Sequence, residues 1–347
     1  MTKPLPFVET LNDGIHVIDT GFHRPRFDAS YLIVEQGRAA FVDAGTNSSV
    51  PRLLAALEAA GVAREAVDHV IATHVHLDHA GGVGLLMQQL PNAQLVVHQR
   101  GARHLIDPSV LMEGARAVYG ADEVARTYGE VVGVPAERVM QTEDGMVIGL
   151  ADRLFTFIDT PGHARHHHCI WDERTQGFFT GDTFGLSYRE FDTAQGAWLL
   201  PTTTPVQFEP DALRNSIERM LAFAPQCMYL THYGRVGDSV AEVERLAALL
   251  LQQVGLTVAA FVVTGVGIAT VAPLVFGAAA RRSTASAGQG IAAMAAMGYS
   301  GFLFGPAFIG FVAQATSLRI ALGLLATMAA VICVMAYHLR GEPAAAH

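Results

Sequence analysis

Short apolar runs separated by turn residues dominate residues 1–253. Apolar or alternating runs predict β-strands, and apolar positions three or four residues apart predict helices. The pattern predicts strands at 14–20, 31–35, 39–43, 67–73, 94–98, 138–141, 146–148, 154–159, 167–171, 178–180 and 228–231. It predicts helices at 49–60, 82–90, 211–223 and 238–253, and a mostly helical stretch at 101–132 that we expect to cover a site. Two groups of strands, each followed by helices, favour an α+β fold with two packed sheets and helices on both outer faces.

Residues 254–347 show a different pattern of long uncharged runs. No charged residue occurs in 256–280, and a helix of that length, at about 1.5 Å per residue, spans roughly 37 Å, enough to cross a bilayer. The run 289–315 is also uncharged, and 319–338 is shorter and strongly apolar. We therefore predict three transmembrane helices at about 256–280, 289–315 and 319–338, rather than helices buried in a large soluble core. The predicted domains are 1–253 and 254–347.

Charge divides the chain in the same place. The whole chain has 23 Lys and Arg and 32 Asp and Glu, a net charge of −9, whereas residues from 256 onward hold only four arginines and one glutamate. The first domain is therefore acidic and has no basic stripe, which argues against a nucleic-acid partner. Three cysteines without paired spacing favour a reducing compartment, and the N-terminus lacks the apolar region of a secretory signal. We expect a cytoplasmic first domain that the tail attaches to the cell inner membrane.

Metal-binding side chains follow the ends of several predicted strands. His74, His76, Asp78 and His79 come directly after the apolar strand at 67–73. Further along the chain, three more strands end in the same way, at His163, Asp182 and His232. A lone His or Asp at a strand end is more often a hydrogen-bonded turn residue. Their occurrence together, in this order, predicts a metal site with more than one ion.

These motifs give residues of about 10–253 a recognisable family likeness. They resemble a metallo-β-lactamase-fold hydrolase, in the branch that includes glyoxalase II-like thioesterases and lactonases. The resemblance implies an αββα sandwich and two metals that share Asp182 as a bridge. It implies these terminal ligands: His74, His76 and His163 for one metal, and Asp78, His79 and His232 for the other. Asp43, after the third predicted strand, and Thr73 are expected to hold the ligands from behind by hydrogen bonds.

The ligand types indicate both the metal and the reaction. Three imidazoles suit zinc, and a site with a carboxylate suits zinc, manganese or iron. Because no Glu or Cys replaces a ligand, we expect two zinc ions, with manganese or iron as alternatives at the second site. A hydroxide held between the metals would cleave a small ester, thioester or lactone, with Asp78 and Asp182 as catalytic residues. Tyr188 and Tyr233 are candidates for contacting the substrate.

Three alternatives to this small-molecule hydrolase stay open. The first is a phosphodiesterase of the same fold, although neither a basic groove nor a disordered substrate arm is evident. The second is a membrane transport component in which the metal domain is accessory. The third is a non-catalytic metal-binding module or a di-iron redox module.

The tail has a family likeness of its own. Gly265–Pro273, Arg281–Arg282 and Met297–Pro306 are similar to parts of the last three transmembrane helices of a major facilitator superfamily transporter. Such a tail cannot form a translocation path alone. With a cytoplasmic first domain, three spans would place Arg281 and Arg282 outside, against the positive-inside tendency. We therefore expect a fusion of a complete enzyme to a transporter fragment, with the junction near 252–256.

Overall fold

The computed structural model describes residues 5–194, 196–203, 207–256 and 258–259, and the single positions 286, 288, 289, 292, 295 and 327. The chain separates into two compact units, Met1–Ala259 and Ala260–His347. Nearly all of the predicted transmembrane helices, at about 256–280, 289–315 and 319–338, lie outside the described residues and stay a prediction. Within the described part, no helix is both long enough and apolar enough to cross a membrane.

The first seven strands form one sheet in chain order. They are β1 (Val8–Thr10), β2 (Ile15–Asp19), β3 (Ala29–Glu35), β4 (Arg38–Val42), β5 (Val67–Ala72), β6 (Gln94–His98) and β7 (Val139–Thr142). Strands β1 to β4 pair antiparallel, whereas β4 to β7 pair parallel. Parallel neighbours need crossover connections, and α1 (Val50–Ala59) and α3 (Val83–Gln89) lie in two of them. The sheet therefore brings the carboxyl ends of β4, β5 and β6 to one edge.

The other six strands form a second sheet, in the order β13-β12-β11-β10-β9-β8. They are β8 (Val147–Leu150), β9 (Arg153–Asp159), β10 (His168–Asp172), β11 (Gly177–Gly181), β12 (Cys227–Leu230) and β13 (Gly234–Val236). Strands β11 and β12 are parallel, and the connection between them contains α7 (Pro210–Leu221). The other neighbouring strands in this sheet are antiparallel.

Three layers of buried side chains hold the two sheets and the helices together. On β3, Leu32 belongs to the layer that also contains Leu53 of α1. Its neighbour Tyr31 points to the opposite face and belongs to the layer between the sheets, with Phe157 of β9. The third layer joins the second sheet to α7 and to a last helix, α8, at 240–256. This arrangement is the predicted αββα sandwich, so the predicted α+β class is confirmed for this unit.

The region predicted to be mostly helical contains three helices. They are α4 (Ala102–Ile106), α5 (Ser109–Tyr119) and α6 (Ala121–Tyr128). Another short helix, α2 (Leu77–Ala80), follows β5 and was not predicted. The edge strands β1 and β13 were also not predicted, because three residues with exposed positions carry little apolar signal. Since β1 precedes the predicted strands, Asp43 follows the fourth strand rather than the third.

Candidate metal centre

All seven side chains that the sequence singles out as metal ligands meet at one end of the sandwich. His74 and His76 follow β5, and α2 carries Asp78 and His79. The remaining three, His163, Asp182 and His232, come after β9, β11 and β12 of the second sheet. Three groups of these residues have ligand atoms within 4.8 Å of one another: His74, His76 and His163; His74, His79 and Asp182; and Asp78, His79 and His232. The first and third groups have the composition of the two predicted sets of terminal ligands.

The first group consists of three imidazoles. His76 Nδ1 lies 2.8 Å from His74 Nε2 and 3.0 Å from His163 Nε2. Burial lowers the pKa of His74 well below its usual range and lowers that of His76 to about 3. Burial also lowers the pKa of His163. These rings are therefore neutral at physiological pH, which is the form that binds a metal.

The second group combines imidazoles with a carboxylate. Asp78 Oδ2 lies 3.5 Å from His232 Nε2 and 3.9 Å from His79 Nε2. Burial alone lowers the pKa of both imidazoles, but neighbouring carboxylates, Asp182 above all, raise that of His79 well above its usual range and that of His232 to about 9. The carboxylates thus favour a positive charge at this position, and a bound cation would supply it.

Asp182 lies between the two groups. Its Oδ2 is 3.2 Å from His163 Nε2, and its Oδ1 is 3.2 Å from His79 Nε2 and 3.5 Å from His232 Nε2. Burial raises the pKa of this carboxyl, but His79, His163 and His232 lower it well below its usual range. Asp182 is therefore ionised. Its Oδ2 faces an imidazole of the first group, and its Oδ1 faces the two imidazoles of the second group.

Two buried polar atoms at this point support metal binding. His79 Nε2 and Asp182 Oδ1 are buried and face each other at 3.2 Å, but neither forms a hydrogen bond with a described residue. Buried polar atoms that lack a hydrogen bond carry a desolvation cost, and a cation bound by both atoms would offset it. The nitrogen and carboxylate donors are those that zinc prefers. The residues present therefore fit the metal that the sequence predicts.

Asp43 is buried behind the second group and connects three segments of the chain. Its Oδ2 accepts hydrogen bonds from His79 Nδ1 at 2.8 Å and from Thr231 Oγ1 at 2.9 Å. Its Oδ1 accepts one from the Thr73 backbone N–H at 2.8 Å. The Thr73 hydroxyl also lies 3.1 Å from His74 Nδ1. These bonds fix the rings of His74 and His79 so that their Nε2 atoms face the centre.

Three further groups that the sequence did not single out position the candidate ligands. The Phe27 carbonyl accepts from His232 Nδ1 at 3.0 Å. The buried His167 accepts from the Asp182 backbone N–H through Nε2, at 3.1 Å. Gly181 has a φ of +46°, and a Cβ there would lie 2.6 Å from His167 Nε2. A backbone carbonyl leaves no signal in the sequence. The run of His166, His167 and His168 does not indicate which of the three points toward the candidate ligands.

We expect Gly181→Ala to lower the free energy of unfolding of the full-length chain by about 3 kcal/mol, because the methyl group adds a steric clash to an unfavourable φ. Gly37→Ala is the matched control, because Gly37 has a φ of +76° and open space around it. The control should lose only about 1 kcal/mol. Urea denaturation measures the free energy of unfolding of both variants. Equal losses would show that the close approach of Gly181 to His167 does not affect stability.

A cleft of about 470 Å³ opens above the candidate ligands. Its floor includes His76, Asp78, His163 and Asp182, and one wall comes largely from α5, with Tyr128 of α6 beside it. The predicted cover at 101–132 thus lies where the sequence placed it. No Lys or Arg occurs among the described residues that line this cleft.

The two predicted substrate contacts lie elsewhere. Tyr233 is buried in the layer between the sheets. Tyr188 stacks on Phe27, with ring centroids 5.4 Å apart. Neither tyrosine is among the described residues that line the cleft, which instead include Tyr119 and Tyr128. Substrate contact by Tyr188 and Tyr233 stays a prediction, and Tyr119 and Tyr128 are further candidates for it.

Comparison with known proteins finds a family model that matches within the first unit. A model of the metallo-beta-lactamase superfamily matches residues 16–232, which contain all seven candidate ligands. The metallo-beta-lactamase fold-containing protein ST1585 of Sulfurisphaera tokodaii is 25% identical over 245 residues, 69% of this chain and 85% of the relative. The crystal structure of ST1585 from Sulfolobus tokodaii has a TM-score of 0.56 at 24% identity, covering 69% of this chain and 86% of that one. It shows the same fold.

Two other relatives match shorter stretches. The human acyl-coenzyme A thioesterase MBLAC2 is 29% identical over 194 residues, 50% of this chain and 64% of the relative. The membrane protein MosC of Rhizobium meliloti is 33% identical over 112 residues, 31% of this chain and 28% of the relative. The resemblance of the tail to a transporter stays a prediction.

Proposed function

Because the chain belongs to the metallo-beta-lactamase superfamily, we propose that it hydrolyses a small carboxylic ester, thioester or lactone in the cleft above the candidate ligands. Its family and its thioesterase relative make it a metal-dependent hydrolase. The observation that carries the finer proposal is the convergence of five imidazoles and two carboxylates at one centre, where His76, Asp78, His163 and Asp182 form the floor of a cleft.

The distances support an assignment of the ligands to two metal ions. His74, His76 and His163 would hold one zinc ion, and Asp78, His79 and His232 would hold the other. Asp182 would be shared, because its two oxygens face the two sets of imidazoles. Manganese or iron are alternatives at the second position, where a carboxylate takes part. When bound, such ions polarise a carbonyl oxygen and lower the pKa of water.

Asp78 is the residue best placed to move a proton. It lines the cleft, and its side chain keeps 26% exposure beside the buried His232. Burial raises the pKa of its carboxyl, but His79 and His232 lower it below its usual range. The Asp78 carboxyl group is therefore ionised at neutral pH. It can accept the proton of an attacking water and return it to the departing alcohol or thiol.

The walls of the cleft favour a carboxylic substrate over a phosphodiester. Phosphate recognition in proteins usually relies on Arg or Lys, and the described lining residues include neither. Thr203, Gln207 and the tyrosines Tyr119 and Tyr128 provide uncharged hydrogen-bonding groups instead. The thioesterase relative MBLAC2 supports a thioester in particular. No observation on the described residues favours transport or a redox reaction.

A substrate panel tests this proposal. The full-length chain, loaded with zinc, is assayed against an ester, a thioester, a lactone and a phosphodiester, with the chelator-treated chain as the control. We expect turnover of at least one carboxylic substrate, and turnover of the phosphodiester at least about a hundredfold slower, because the described residues that line the cleft include no Lys or Arg to bind a phosphate. Hydrolysis of the phosphodiester alone, or equal rates after metal removal, would contradict the proposal.

A further inference from the structure

One wall of the cleft is apolar and open to solvent. Helix α5 contributes Val110, Gly114, Val118 and Tyr119 to the lining. The exposed fractions of Val110, Val118 and Tyr119 are 65%, 59% and 60%. Contiguous exposed apolar side chains are uncommon on soluble proteins and usually mark a binding surface.

The packing of α5 does not account for this apolar surface. The helix is anchored by Met112, which is buried with Leu77, Val124 and Val131. Val110, Gly114 and Val118 are four residues apart and so lie in one row on the helix. At about 1.5 Å per residue this row is roughly 12 Å long. We define it, with Tyr119, as the α5 stripe.

The stripe is continuous with the candidate metal centre. Both border the same cleft, whose floor holds Asp78 and Asp182. Those two candidate ligands are the only carboxylates among the described lining residues, which include no Lys or Arg. A group that extends from the floor along α5 therefore meets apolar side chains and no unpaired charge.

We propose that the α5 stripe binds the apolar acyl chain of the substrate. The carbonyl group would lie above the candidate ligands and the alkyl chain would lie along α5. The preferred substrates are then esters or thioesters of medium-length acyl groups, rather than acetyl esters or charged acyl groups. This inference rests on the proposed function and adds the substrate class to it.

Gly114 makes the inference testable without disturbing the fold. It lies within α5, and a Cβ added there meets nothing within 4 Å. A phenylalanine at this position would therefore occupy the cleft rather than clash with the protein. Ala117 is on the same helix, is exposed and is not among the lining residues. Ala117→Phe is thus a matched control that adds a ring to α5 outside the cleft.

The test measures kcat/KM of the full-length chain for acetyl, butanoyl, octanoyl and dodecanoyl thioesters of N-acetylcysteamine. Complete burial of a methylene group is worth about fourfold. Because the cleft is open on one side, we expect about twofold per methylene from butanoyl to octanoyl, or roughly sixteenfold for the four methylene groups. Gly114→Phe should reduce that preference to about twofold or less. Ala117→Phe should keep the wild-type profile.

The outcomes separate this inference from the proposed function. Turnover with the same kcat/KM for every chain length overturns the inference and leaves the hydrolase assignment intact. An equal loss of preference in Ala117→Phe also overturns it, because the effect would then come from the helix surface rather than the cleft. Absence of turnover with all carboxylic substrates overturns both proposals.

Discussion

Asp182→Ala is expected to reduce kcat/KM for the responsive substrate at least about a thousandfold, because metal assistance supplies several kcal/mol and each 1.36 kcal/mol is a factor of ten. Asp182 has carboxylate oxygens within 3.5 Å of His163, His79 and His232. Loss of the carboxylate therefore affects both sets of terminal ligands. The measurement is steady-state hydrolysis by the full-length variant after zinc loading.

Two further variants show whether the loss is specific. Asp182→Asn keeps the shape of the side chain and the backbone N–H bond to His167, but it lacks the negative charge. It should lose nearly as much activity as the alanine variant. Asp122→Ala removes an exposed carboxylate from α6 and should retain wild-type turnover. If Asp182→Ala hydrolyses within about tenfold of wild type, the shared role of Asp182 is wrong.

The sandwich was predictable because strands that are buried on both faces can be recognised in the sequence. In β3, Tyr31 and Leu32 face opposite layers, and both faces are buried. Buried strands of this kind read as apolar runs in the sequence. The edge strand β13 contains Gly234 and the exposed Arg235, which give no such signal. The predicted transmembrane helices of the tail lie almost entirely outside the described residues, so they stay a prediction.

The candidate ligands were predictable because their side-chain types and their positions after strands are both visible in the sequence. Support by Asp43 and Thr73 was also predicted, but the other supporting groups were not. The carbonyl of Phe27 and the close approach at Gly181 depend on backbone positions that only the folded chain establishes. Tyr119 and Tyr128 line the cleft and were not predicted, because their place there depends on how α5 and α6 pack. Substrate contact by Tyr188 and Tyr233 stays a prediction.

His163→Ala is expected to remove one zinc ion and to lower hydrolysis at least about a hundredfold, because a three-imidazole site would keep only two of its imidazoles. His163 Nε2 lies 3.0 Å from His76 Nδ1 and 3.2 Å from Asp182 Oδ2. His166 provides the matched control. It lines the same cleft but belongs to none of the ligand groups found among the described residues. His166→Ala should keep both metals and wild-type turnover within about threefold.

The zinc content of wild type, His163→Ala and His166→Ala, measured side by side by elemental analysis, shows whether the chain holds two metal ions and whether His163 binds one of them. We expect about two, one and two zinc ions per chain, in that order. One ion or none in wild type, or equal contents in wild type and His163→Ala, would contradict this expectation.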